Sequence, residues 1–149
     1  MTRDDTGQVG GFEGVTFGTL VFVIGVLVVA NAWGVVDAKL AATAAAREAT
    51  RAFVESDGPT SADALAHAED AARAAIVGHG RSVARMELEP EAAVLERCSR
   101  VTIAVRYRVP LVSIPLLGRF GRGFVTTGRH SEIVDPFRSG LAGTSRCAA

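Results

Sequence analysis

Aromatic residues are scarce in this chain of 149 residues, with seven Phe, one Tyr and one Trp. That excludes a thick aromatic core and favours close approach of helices through the abundant Ala and Gly. An excess of either charge is also lacking, since 16 Lys plus Arg stand against 16 Asp plus Glu and the basic residues are scattered. Without a positive field to hold a polyanion, nucleic acid is excluded as a partner class. The three histidines, His67, His79 and His130, are too far apart to form a ligand set of the H-E-x-x-H kind. The only cysteines, Cys98 and Cys147, make no C-x-x-C motif, and no G-x-S-x-G or other nucleophile arrangement occurs. No catalytic residue, cofactor, metal or small-molecule substrate is therefore assigned, and the chain is read as non-enzymatic. Its length leaves room for one modest domain and an appendage.

What the sequence does contain is a long uncharged run. From Gly14 to Val36 it reads GVTFGTLVFVIGVLVVANAWGVV, with no charged side chain across 23 positions. About 20 apolar residues suffice to cross a hydrocarbon core. A helix suits such a run because it satisfies every backbone N–H and C=O internally, as lipid demands. Phe12 and Trp33 stand near its two ends as interface anchors. Ala30-Asn31-Ala32 resembles a secretory cleavage site, but Arg3, Asp4, Asp5 and Glu13 make the preceding residues acidic, and the run is too long for a signal peptide. Asn31 is suited to a hydrogen bond across a helix interface, and Asp37 marks the exit into water.

Residues 37–56, DAKLAATAAAREATRAFVES, are strong helix formers without Gly or Pro until Asp57-Gly58-Pro59. One continuous helix is expected from the apolar run to this point. Gly10, Gly14 and Gly18 recur at four-residue intervals, and so do Ala30, Gly34, Ala38, Ala42 and Ala46. Small residues at that spacing form a ridge on which another helix can approach closely, unless an alanine-rich composition alone produced them. Glu13 lies just before the run, where a carboxylate is favoured by the positive end of the helix dipole and can pair with a neighbouring subunit's amino terminus.

Beyond residue 57 a small α+β domain is expected. TSADALAHAEDAARAAIVGHG, residues 60–80, opens with capping residues and places Leu65, Ala68, Ala72 and Ile76 on one face of a second helix. Strands are expected at 82–89, at 100–109 and around 123–134. The middle one alternates, with Val101, Ile103, Val105, Tyr107 and Val109 on one face and Thr102, Ala104, Arg106 and Arg108 on the other. Packing the second helix on this antiparallel sheet buries one face of each. Residues 110–123, PLVSIPLLGRFGRG, form either a core-filling connection or a loop dipping toward lipid or a partner. If the domain lies outside the cytoplasm, Cys98 and Cys147 can form a disulfide; otherwise Cys98 is buried and Cys147 hangs free.

The order of these features resembles the TadE-like pseudopilins of bacterial tight-adherence (Flp-type) pilus systems. A short polar leader, a Gly, a Glu before a long apolar helix and an Ala-rich continuation ending AAREATRAFVE carry the likeness from about Gln8 to Glu55. VTIAVRYRVPLVSIPLLG and the VDPFR ending agree more loosely. The resemblance implies a pilin-like subunit of the cytoplasmic membrane, with its partners among other pilin-like subunits, pilus assembly proteins and membrane lipid. Prepilin members are cut after a Gly, leaving Glu as the fifth residue, whereas cutting after Gly7 here leaves Glu13 as the sixth.

The expected organisation is a leader at 1–13, a transmembrane helix at 14–36, its extension at 37–56 and an extracytoplasmic domain at 57–149. Lys39, Arg47 and Arg51 after the helix outweigh Arg3 before it, which leans toward a cytoplasmic C-terminal side. The resemblance implies the opposite, and long domains translocate despite their charge. A membrane-tethered extracytoplasmic binding module, outside any pilus, is the alternative reading.

Overall fold

The computed structural model describes residues 9–110 and 123–147, with side chains from Glu13 onward. It consists of α1 (Val9–Glu55), α2 (Ser61–Gly78), a 3-10 turn (Val83–Arg85) and three strands, β1 (Met86–Ala92), β2 (Arg100–Val109) and β3 (Phe124–Ile133). The strands form an antiparallel meander in the order β1-β2-β3. The chain is thus α+β, a long apolar N-terminal helix with a second helix and a small sheet.

At 47 residues, α1 is about 70 Å long. From Glu13 to Val36 none of its residues is buried, including the whole of its most apolar stretch. From Ala38 onward the same helix becomes the centre of the core. Ala38, Ala41, Ala42, Ala45, Ala46, Ala49 and Phe53 are fully buried against α2 and the inner face of β2 and β3. Alanine matters here because it lets backbones come close. A Cβ added to Gly128 of β3 would lie 2.3 Å from the Ala42 carbonyl, so the helix crosses the sheet where both surfaces are nearly bare.

The second helix is capped by Thr60, whose hydroxyl accepts from the Asp63 N–H at 3.2 Å. Its buried face is Ala64, Ala68, Ala72 and Ile76, which corrects the expected set by one position. Leu65 is only partly buried beside them, because α2 meets α1 along a small-residue seam in which a leucine would hold the helices apart.

The middle strand follows its alternation on the inner face, while Ala104 on the other face is also buried. Val101, Ile103, Val105, Tyr107 and Val109 all point into the core. The first strand departs from expectation, since Val83–Arg85 form a 3-10 turn and pairing runs from Met86 to Ala92. Pro90 and a register shift between Pro90 and Ala92 fall within it, tolerated because β1 is an edge strand.

The C-terminal tail folds back beside the loop before β2. Arg97 donates from Nε and Nη2 to the Leu141 carbonyl at 2.9 and 2.7 Å, and its N–H meets the Ala142 carbonyl. Cys98 and Cys147 are joined by a disulfide.

Candidate membrane and assembly helix

Among the described residues, the exposed half of α1 is the large surface whose chemistry the fold leaves unmatched. Val15, Phe17, Leu20, Phe22, Ile24, Val28 and Val29 are all more than half exposed, and Trp33 reaches 72%. In water such a patch is unfavourable by about 25 cal/mol per Å² of apolar surface, and a contiguous patch of this extent marks a lipid or protein contact. Two of its polar side chains fold back on their own helix. Thr19 Oγ1 donates to the Val15 carbonyl at 2.9 Å and Asn31 Nδ2 to the Leu27 carbonyl at 2.8 Å.

The small-residue ridge is divided. Gly14, Gly18 and Gly34 have open space where a side chain would stand. Ala38, Ala42 and Ala46 lie inside the chain's own core, so no helix of another chain reaches them while the head is folded. Gly10 falls within α1, but its surroundings and those of Phe12 lie outside the described residues.

Glu13 is exposed. It is the fifth residue of α1 counted from Val9, the first described position of the helix.

A polar joint divides the two halves. Arg81, just after α2, donates from Nε to Asp37 Oδ2 and from Nη2 to the Gly34 carbonyl, both at 3.1 Å, while its guanidinium lies 5.4 Å from the centroid of the buried Tyr107 ring. Asp37 therefore does more than mark an exit into water: it ties the helix to the head where the apolar run ends. Lys39 Nζ donates to the Thr127 carbonyl of β3 on another side of the helix. At the far end Arg138 donates to the carbonyls of Val54 and Ser56, satisfying acceptors that the last turn of α1 leaves open. No local sequence pattern marks Arg81 or Arg138, because their partners lie 44 to 84 residues away.

The histidines have local duties. His67 Nδ1 pairs with Ser56 Oγ at 3.1 Å, His130 Nε2 with Glu132 Oε1 at 3.1 Å, and His79 closes α2. Among the described residues no group of His, Cys, Asp or Glu is placed to hold a metal ion. The interior of the 110–123 connection lies outside the described residues. No protein-family description, curated protein or solved structure matches this chain.

Proposed function

We propose that the chain is a pilin-like, membrane-anchored subunit of a tight-adherence pilus or a related secretion system, acting through helix packing and not through catalysis. One observation carries this reading: a single unbroken helix serves as the core of a small head and then projects beyond it as an apolar rod of spanning length. The open glycines on that rod support close approach of a second apolar helix in lipid. The disulfide supports a head on the oxidising side of the membrane.

The burial of Ala38, Ala42 and Ala46 favours a second reading. With the upper ridge enclosed in the head, α1 is a tether for an extracytoplasmic binding module. The two readings separate in cells that carry a tight-adherence machinery. Full-length protein fractionates with membranes on either reading. On the assembly reading, Glu13→Gln and Gly18→Leu abolish co-purification with the pilus components; unchanged co-purification, or none with the native chain, leaves the tether.

A further inference from the structure

The end of the β2–β3 hairpin reaches down beside the part of α1 that reads as lipid-embedded. Phe124 lines one apolar groove together with Ile24, Leu27, Val28, Asn31 and Val35 of the helix. β3 runs alongside α1 in the same direction, with the Thr127 carbonyl at Lys39, Gly128 against Ala42 and the His130 carbonyl near Thr50. Phe124 is therefore the lowest described residue of the strand, below the Asp37–Arg81 joint. If the apolar run occupies the bilayer as far as Val36, Phe124 cannot stand in bulk water.

The chemistry of that strand end fits immersion. Phe124 is 53% exposed and its neighbour Val125 60%, and the two point to opposite faces of the sheet. Val125 is bordered by Arg85, Arg106, Arg108 and a single acid, Glu87. Arg106 is paired with Glu89, but Arg85 and Arg108 take part in no ion pair among the described residues. Arg108 stands directly across from Val125 in the register, level with it and one residue above Phe124; long Arg stems of this kind lie along an apolar surface while their guanidinium groups reach up to phosphates, which matches the layering of a leaflet.

The geometry points to a second membrane contact: the head is seated in the leaflet, with Phe124 and Val125 at the acyl boundary and Arg85 and Arg108 on lipid phosphates. The occupant of this surface is an anionic lipid bilayer. This inference rests on the membrane reading of α1, and its test keeps the two apart.

Full-length protein is reconstituted in vesicles of phosphatidylcholine and phosphatidylglycerol carrying acyl-chain bromines, which quench nearby indoles. Trp33, the only native Trp, reports the helix. In a Trp33→Phe background, Phe124→Trp and, independently, Val125→Trp report the strand end, and Phe137→Trp reports the opposite end of the head beside the α1 cap. The expected result is loss of emission at 33, 124 and 125 and none at 137. Replacing both Arg85 and Arg108 by Gln is expected to reduce the loss at 124 in anionic vesicles more than in pure phosphatidylcholine. Quenching at 33 without quenching at 124 or 125 overturns the seating alone. No quenching at 33 overturns the membrane reading itself. Quenching at 124 that disappears as protein is crowded at fixed lipid shows a second copy covering the surface, and it too overturns the inference.

Discussion

The two halves of α1 share a helix and a recurrence of small residues every fourth position, yet those residues do opposite things. In the upper half Ala38, Ala42 and Ala46 are covered by the chain's own sheet and second helix. In the lower half Gly14, Gly18 and Gly34 face open space among large exposed aliphatic side chains. A small-residue ridge thus signals only that a backbone can come near. Which backbone does so depends on what the fold supplies at that height, and here the buried core stops near the Asp37–Arg81 joint, with the Phe124 end of β3 reaching below it.

That contrast predicts where substitutions are felt. The largest effect is expected from removing the covalent tie of the head. Cys98→Ser with Cys147→Ser opens a loop closed over a separation of 49 residues, a change of about 4 kcal/mol in the chain-entropy account. Thermal unfolding followed by circular dichroism under oxidising conditions measures it, and an unchanged transition would show that the hydrogen bonds of Arg97 to Leu141 and Ala142 hold the tail unaided.

Gly128→Ala comes next. Its new methyl group meets the Ala42 backbone at 2.3 Å, and neither strand nor helix can yield as a flexible side chain would. A loss of about 3 kcal/mol is expected, at the upper end for overpacking. In a head of this size that lowers the melting temperature by on the order of 15 °C.

Much of this architecture is legible in the sequence, because it is written in local periodicity. The uncharged run, the Thr60 cap and the inward alternation of Val101 to Val109 in β2 depend on neighbours within a few residues. The misplaced features depend on tertiary geometry. Leu65 is the larger apolar residue, yet Ala64 lies on the buried seam because α1 presents alanines there and the helices close to that width. The division of the ridge has no local signature either, since it is set by where β3 crosses α1 at Gly128. The same holds for Arg81 and Arg138, whose roles arise only when distant segments meet.

A smaller effect is expected at the joint. Arg81→Met keeps much of the stem that packs on Tyr107 but removes the donors to Asp37 and Gly34. Asp37 is nearly half exposed, so water compensates part of the loss. About 1 to 2 kcal/mol is expected in head stability. Arg81→Lys restores only part of it, because a single ammonium cannot reproduce the forked contact. Equal stability of the Met and native proteins would show that the donors of Arg81 add nothing to the packing of Ala38 to Phe53.

The smallest effect on the fold is expected at Gly18, and it sharpens the contrast most. Adding a side chain there meets nothing within 4 Å, and Leu exceeds Gly in helix propensity by roughly 0.5 to 1 kcal/mol. Because the lower half of α1 contributes no buried residue between Glu13 and Val36, that local gain does not reach the head. The melting temperature of Gly18→Leu should therefore stay within about 0.5 kcal/mol equivalent of the native value. The same change fills the surface on which a second helix would approach, so any loss of partners in the membrane is separable from a loss of fold. A head destabilised by Gly18→Leu would mean that the two halves of the helix are energetically one element, and the division at the Asp37–Arg81 joint would be wrong.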